Sequence, residues 1–120
     1  MLNKSHNRKY GNVGEMMARA YLRLHAARII ARNYSCPFGE LDIVAQFEGR
    51  ICFVEVKRRS SRNYGSPAQA VDRRKAQRIV KCAMYFLKSR GMTGSPMRFD
   101  VVQIDKFKIK YIRGAFTCDV

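Results

Sequence analysis

The chain has few acidic residues: nine Asp and Glu stand against 24 Lys and Arg in 120 residues, which gives a formal net charge of +15. A compact domain with this imbalance repels itself unless an anionic partner supplies counter-charge. Apolar residues make up 47% of the chain, so the charge belongs to a folded domain and not to a disordered basic tail. The imbalance favours nucleic acid as the partner over an acidic membrane surface.

Long apolar segments are also missing. No uncharged apolar run approaches the roughly 18 residues that a membrane span needs. The first ten residues are polar and basic and lack the apolar core of a secretory signal, and no internal repeat or low-complexity segment appears. We therefore expect a cytoplasmic protein without membrane association. Its organisation is predicted as a flexible basic segment over residues 1–10 and a single domain over residues 11–120.

Cysteine and histidine are scarce and scattered. The four cysteines form no Cys-x-x-Cys pair, and the two histidines lie far apart, so the spacing of a zinc site is absent. Cys52 and Cys82 fall in patterns that predict burial. We expect reduced thiols, as in other cytoplasmic proteins.

Hydrophobic spacing predicts the element order helix, three strands, helix, two strands, which is an α/β fold around a mixed sheet. The first helix is predicted over residues 13–26, and Asp72 is predicted to cap a second helix that ends near Ser89. The other strands are predicted over residues 28–34, 98–104 and 107–112. The apolar stripe of the first helix is predicted to contain Val13, Met16, Met17, Ala20, Tyr21 and Leu24.

Several of the few acids lie in two neighbouring apolar runs, residues 39–44 and 53–57. Alternation predicts a strand for each run, and Glu48-Gly49 between them predicts a two-residue hairpin turn. In that register one face of the hairpin carries two opposed pairs, Asp42 with Glu55 and Glu40 with Lys57. The reverse face is predicted to be core, formed by Leu41, Ile43, Ala45, Cys52, Val54 and Val56.

Two facing carboxylates are unfavourable, since like charges about 5 Å apart repel by roughly 3 kcal/mol at an effective dielectric near 20. A hard divalent cation bound between Asp42 and Glu55 would remove that cost, and oxygen ligands are those that Mg²⁺ takes. Lys57 could orient a water molecule or balance the charge of a phosphate. The pattern favours a metal-dependent phosphodiesterase centre. The alternative is a solvated strand face with a Glu–Lys cross-strand pair.

Two further acids have structural interpretations. Glu15 lies off the predicted apolar stripe, and Asn12-x-x-Glu15 fits a capping box, so its residue pattern favours a structural role. Asp100 lies next to Arg98 in a predicted strand. We expect a structural pair there and not a metal ligand.

The segment from Lys57 to Lys81 contains nine Lys and Arg and one acid. A merely solvated helix face normally mixes both signs of charge, so this segment favours phosphate contacts with steeply salt-dependent binding. Tyr64 and Tyr85 are open between base stacking and ordinary packing. The predicted nucleic-acid contacts are Arg58, Arg59, Arg62, Tyr64, Arg74, Lys75, Arg78 and Lys81.

These residues carry a family resemblance. Gly14-Glu15 on a first helix, then Asp42, then Glu55-x-Lys57 resemble the PD-(D/E)xK nuclease superfamily, with an order and spacing similar to archaeal Holliday junction resolvases. Nearly the whole chain resembles the bacterial YraN family. Further matching segments are Gly11-x-x-Gly14, Asn33-Tyr34, Phe38 to Asp42, Phe53-Val54, Tyr64-Gly65, Lys75, Arg98 to Val101 and Ala115-Phe116.

The resemblance implies a restriction-endonuclease-like α/β/α sandwich with a central mixed β-sheet. It implies that Asp42 and Glu55, with Glu15 as an additional acid, are catalytic residues that bind Mg²⁺ or Mn²⁺, and that Lys57 aligns or deprotonates the attacking water. Leu41 stands where the superfamily motif has Pro.

The activity implied is an endonuclease acting on DNA, including branched or recombination and repair intermediates. Junction resolvases act as dimers, which implies a homodimer, with the strand at residues 107–112 as the candidate seam. The competing hypothesis is a non-catalytic nucleic-acid-binding or assembly protein on the same scaffold.

Overall fold

Two helices and five strands follow one another in the described part of the chain, in the predicted order. The computed structural model describes residues 2–58, 72–106 and 108–120, with side chains from residue 13 onward. The predicted contacts Arg59, Arg62 and Tyr64 lie outside these ranges. The elements are α1 (Leu2–Leu24), β1 (Arg28–Cys36), β2 (Gly39–Phe47), β3 (Arg50–Arg58), α2 (Arg73–Ser89), β4 (Met97–Asp105) and β5 (Lys108–Phe116).

The strands form a mixed sheet in the order β1-β2-β3-β4-β5. Only the β3–β4 pair, which α2 connects, is parallel among these neighbours. The β2–β3 hairpin turns at Glu48-Gly49, and both residues have positive φ, as a type I′ turn requires. Pairing from Phe47–Arg50 to Ile43–Val54 confirms the predicted register.

The two helices cover opposite faces of the sheet, which confirms the α/β class and is compatible with the sandwich that the resemblance implies. On one face Ile79 and Phe86 of α2 pack with Val44 and Phe53, and on the other α1 packs on residues that include Ile43 and Val54. The prediction of one apolar and one polar hairpin face is therefore wrong. Because a helix connects β3 to the parallel β4, both sheet faces become buried.

Helix α1 begins at Leu2, and the predicted start at residue 13 is wrong. The sequence before Val13 carries no apolar stripe, and that stripe was the signal used to place the helix. Each residue added to an existing helix gains a backbone hydrogen bond, so an amphipathic helix extends readily into polar sequence.

The buried face of α1 also differs from the prediction. Ala18 and Leu22 are fully buried, whereas Val13, Met16 and Leu24 of the predicted stripe are exposed. The side facing the sheet is built on small residues, Gly14 and Ala18, which let the helix backbone approach closely. Met17 of the predicted stripe is partly buried and packs against the cluster that contains Ala18 and Leu22, so the predicted stripe overlaps the buried face in part.

Helix α2 begins as predicted. Asp72 is its N-cap and accepts a hydrogen bond from the Lys75 N–H at 2.8 Å, and the helix ends at Ser89. Its buried residues are Ala76, Ile79, Cys82, Ala83, Phe86 and Leu87. Its exposed face carries Arg74, Arg78, Lys81, Tyr85 and Lys88.

A buried polar network joins β4 to β5 and confirms the structural role predicted for Asp100. This residue is fully buried. It accepts hydrogen bonds from the Arg98 guanidinium at 2.8 and 3.0 Å, from the Tyr111 hydroxyl at 2.6 Å and from the Gly114 N–H at 3.0 Å. Arg98 also pairs with Glu48 at 2.8 Å, which ties the hairpin turn to β4.

The cysteines and the helices of the described ranges bear on two further predictions. Cys52 and Cys82 are buried, and the four thiols are free. Within these ranges no helix is both long and apolar enough to cross a bilayer.

Candidate metal centre

The regular alternation of β2 is interrupted at Asp42. Leu41 packs in the cluster beneath α2, whereas Ile43, two residues later, packs beneath α1. The β2–β3 pairing ends at Ile43–Val54, one residue short of the predicted Asp42–Glu55 pair. Beyond this point the Val56 N–H donates to Oδ2 of Asp42 at 2.9 Å. The side chain of Asp42 therefore takes the place of a main-chain acceptor and is held against β3.

Glu55 is the buried acid of the site. Only 7% of the residue is exposed. The pKa of its carboxyl is raised to about 8, first by burial, then by the charge of Asp42, and also by a hydrogen bond with that carboxylate. The two acids thus meet as the sequence predicted. The alternative of a solvated strand face is wrong, because Glu55 is withdrawn from solvent.

Lys75, in the first turn of α2, forms an ion pair with Glu55. Its Nζ lies 3.0 Å from Oε1 of Glu55, and this contact lowers the pKa of Glu55 against the larger effect of burial. The sequence placed Lys75 among the nucleic-acid contacts. Its position in the site depends on how α2 packs across the sheet, which neither periodicity nor capping encodes.

Glu15 lies on α1 beside the buried face of that helix. Its Oε1 is buried and has no hydrogen-bond partner among the described residues. Burial raises the pKa of Glu15, followed by the charge of Asp42, while the charge of Arg19 lowers it. The capping-box interpretation is wrong, because α1 begins at Leu2 and Asn12 lies inside the helix. One carboxylate oxygen of Glu15 is thus buried without a hydrogen-bond partner among the described residues, and the acid is near enough to Asp42 for the charge of Asp42 to raise its pKa.

Gly14 sets how closely α1 approaches the sheet. A Cβ atom built on Gly14 would lie 3.3 Å from Cγ of Arg58 and 3.6 Å from Cδ1 of Ile104. Because glycine leaves this space to its neighbours, the next residue, Glu15, stands close to the strands that carry the other acids.

Lys57 lies two residues beyond Glu55 on the same strand. It is half-buried and pairs with Gln103 in the β3–β4 register. Glu40, its predicted cross-strand partner, is exposed, and no ion pair joins the two among the described residues.

The donor set can be tested against a divalent cation. In the described ranges no group of three or more His, Cys, Asp or Glu side chains is assembled as a metal site. Mg²⁺ in proteins commonly uses one or two carboxylates and keeps several waters. Asp42 and Glu55 supply two adjoining carboxylates, and the charge of Asp42 also acts on Glu15, one of whose oxygens is buried without a hydrogen-bond partner among the described residues. These oxygen donors fit Mg²⁺ or Mn²⁺.

The predicted nucleic-acid contacts fall into two groups in the described ranges. Arg74, Arg78 and Lys81 are exposed on α2. Arg58 is exposed at the end of β3, and its side-chain stem lies against Gly14 of α1. Lys75 differs from these predicted contacts, because its side chain lies in the acidic site, the cluster formed by Asp42 and Glu55.

Comparison with known proteins gives the relationships of the chain. The sequence model of a family described as "Uncharacterised protein family UPF0102" matches residues 14–104. The chain belongs to the UPF0102 family. This membership confirms the resemblance to the YraN family. The UPF0102 span contains all of the acidic-site residues described above, which are Glu15, Asp42, Glu55, Lys57 and Lys75.

Curated UPF0102 proteins are similar over nearly their full length. The UPF0102 protein of Moorella thermoacetica is 44% identical over 115 residues, covering 91% of this chain and 96% of the relative. That of Myxococcus xanthus is 39% identical, covering 91% and 90%. That of Desulfosudis oleivorans is 37% identical, covering 100% and 98%. The similarity therefore extends over at least nine-tenths of this chain and of each of these relatives.

Proposed function

We propose that this protein is a metal-dependent endonuclease that hydrolyses phosphodiester bonds in DNA, including branched recombination or repair intermediates. The observation that carries the proposal is the burial of Glu55 against Asp42 in a chain with a large excess of cations. A buried acid beside another acid is costly, and structural stability alone gives no reason to keep it. Active sites are where such shifted pKa values concentrate.

The chemistry assigns a role to each site residue. Asp42 and Glu55 would hold Mg²⁺ or Mn²⁺, with Glu15 as an additional acidic group. When bound, the cation would polarise the scissile phosphate as a Lewis acid. Lys57 would orient or deprotonate the attacking water, since its amine follows Glu55 by two residues on one strand face. Arg74, Arg78 and Lys81 would bind the phosphate backbone and position the substrate.

The second hypothesis is a non-catalytic nucleic-acid-binding protein on the same scaffold. Both hypotheses predict binding that weakens with salt, so binding alone does not separate them. A pure binder would gain affinity from removal of negative charge near phosphate. The location of Lys75 favours the enzyme, because this lysine is committed to an acid of the site instead of being left for phosphate.

A cleavage panel tests the proposal. Junction, flap, single-stranded and duplex DNA are incubated with Mg²⁺ or Mn²⁺ and with wild type, Asp42→Asn, Glu55→Gln or Glu40→Gln. We expect Asp42→Asn and Glu55→Gln each to abolish cleavage. Glu40 is an exposed acid on β2, the strand of Asp42, and Glu40→Gln should retain cleavage. Cleavage that persists in Glu55→Gln would indicate a contaminating nuclease.

Calorimetric titration with Mn²⁺ supplies a second measurement that does not depend on the choice of substrate. Wild type should bind Mn²⁺, and the Asp42→Asn, Glu55→Gln double variant should bind it much more weakly. If both proteins give the same flat isotherm even with DNA present, the enzyme hypothesis fails and the binding hypothesis replaces it.

A further inference from the structure

Two aromatic rings meet at the surface between the β1–β2 turn and α2. Phe38 is 46% exposed and Tyr85 is 42% exposed. Their ring centroids lie 6.2 Å apart at an interplanar angle of 73°. By contrast, Phe53, Phe86 and Phe99 pack in the core. These two adjoining, partly exposed rings form a small apolar platform at the surface.

A line of cations leads to this platform along α2. Arg74, Arg78, Lys81 and Tyr85 follow one another at steps of four, three and four, which places them on one helix face. The three cations are exposed, and α2 contains no acidic residue from Arg73 to Ser89. The exposed helix face is therefore positively charged along its whole length.

The line begins beside the acidic site. Arg74 adjoins Lys75, whose Nζ contacts Glu55. From Arg74 to Tyr85 the helix advances about 16 Å at 1.5 Å per residue. Four residues separate Phe38 in the β1–β2 turn from Asp42 in β2, which is at most about 13 Å of extended chain. Both paths place the ring pair a few nucleotides away from the carboxylates, since stacked nucleotides of one strand advance about 3.4 Å each.

Charge identifies the occupant of this surface. A second copy would bring the same cationic face and a net charge of +15 towards it, whereas a polyanion is complementary. Duplex DNA satisfies the cations but keeps its bases stacked inside. Unpaired bases are free to stack on aromatic rings, and a basic surface with such rings is the usual design of single-strand binding sites.

We propose that the α2 face and the Phe38–Tyr85 pair bind a single-stranded segment of nucleic acid, with its backbone along Arg74, Arg78 and Lys81 and an unpaired base stacked on the rings. The inference rests on the nucleic-acid-binding part of the proposed function and narrows the substrate class. It selects substrates that carry an unpaired segment close to the cleavage site, and it disfavours uniform duplex.

The test measures binding without cleavage. Full-length protein is titrated in metal-free buffer against a fluorescent oligothymidylate and against a duplex of equal length. Phe38→Ser and Tyr85→Ser should each weaken single-strand binding by about 5- to 150-fold, because stacking contributes roughly 1–3 kcal/mol per base. Duplex binding should change by less than about twofold, since no stacking is lost there. Tyr85→Phe keeps the ring and should bind as wild type.

Matched controls separate stacking from other effects. Leu24→Ser removes an apolar side chain that is 85% exposed at the end of α1, and it should leave both affinities unchanged. The double variant Lys108→Gln, Lys110→Gln removes two cations from β5 and reports the general effect of net charge. Oligothymidylate affinity should fall less in this variant than in Tyr85→Ser.

Three outcomes would overturn the inference. The first is unchanged single-strand binding in both serine variants, and the second is an equal loss on single strand and duplex. The third is a change of oligomeric state in sedimentation without a change in binding, which would make the ring pair a contact between copies. Because metal is absent, a failed nuclease assay leaves this result intact, and a failed stacking assay leaves the cleavage test intact.

Discussion

The ε-amino group of Lys75 lies 3.0 Å from Oε1 of Glu55, so the first turn of α2 reaches into the acidic site formed by the β2–β3 hairpin. This contact supplies the cation that an otherwise unfavourable pair of carboxylates requires in the absence of metal. A divalent cation bound at Asp42 and Glu55 would satisfy the same charge, so the amine and such a cation would both act on the carboxylate of Glu55.

Replacing Lys75 by Met should raise the pKa of Glu55 above its present value, because the ammonium group is the contact that lowers it. The measurement is a carboxyl ¹³C NMR titration of the folded protein. Lys75→Arg keeps a cation and should restore most of the wild-type midpoint. Lys81→Met, an exposed position on the same helix, should leave it in place. An unmoved midpoint in Lys75→Met would show that the contact is not formed in solution.

The stability of the protein should decline as pH rises from 4.5 to about 8 because of Glu55. In this window the unfolded chain releases a proton, from its ordinary pKa of 4.5, that the folded chain retains up to about pH 8. The unfolded state therefore binds fewer protons, and the free energy of unfolding falls with pH. The loss amounts to at most about 5 kcal/mol, since one pKa unit corresponds to about 1.4 kcal/mol.

The variant Glu55→Gln removes this titration and isolates its effect. We expect its advantage over wild type to be small near pH 4.5 and largest above pH 8, as measured by urea unfolding at a series of pH values. Glu40→Gln serves as the exposed control. Wild-type and Glu55→Gln curves that run parallel over the whole range would contradict the shifted pKa.

The affinity for Mn²⁺ should rise with pH up to about 8 and then level off. A metal ligand must be deprotonated, so protons compete with the metal for Glu55 below its pKa. The expected slope is about a tenfold gain per pH unit below that value, since each unit frees tenfold more carboxylate. Calorimetry across pH 6–9 measures it. A flat profile would mean that Glu55 does not bind the metal.

Asp100→Asn should destabilise the fold by at least about 3 kcal/mol. The substitution leaves the Arg98 guanidinium without its buried counter-charge and puts an amide among donors from Tyr111 and Gly114. Thermal unfolding measures the loss. Asp119→Asn, an exposed acid near the C-terminal residue, is the matched control and should change the stability little. A small loss in Asp100→Asn would show that the network is not formed as described.

The hairpin and the α2 cap were predictable because their determinants are local. The Glu48-Gly49 turn fixes the register of β2 and β3, and that register brings Asp42 towards Glu55. Asp72 caps α2 through a contact three residues away. The α/β class followed from the same element order.

The misjudged residues depend on tertiary packing. The local pattern around Glu15 predicts a capping box. Nothing in that pattern shows that α1 begins at Leu2 and faces the sheet through Gly14 and Ala18. Lys75 was grouped by charge with the surface cations. Alternation is interrupted at Asp42, where β2 and β3 separate. A prediction from period-two spacing assumes that the pairing of the two strands continues through this residue.

The outer strands of the sheet have a consequence for aggregation. β1 and β5 lie at its two ends, and each presents exposed cations, Arg28 and Arg32 on one and Lys108 and Lys110 on the other. Two copies meeting strand against strand would bring these like charges together, and charged edges are a common protection against such pairing. The positive charge that favours a polyanion as partner would therefore also oppose the growth of the sheet, edge to edge, into an intermolecular stack.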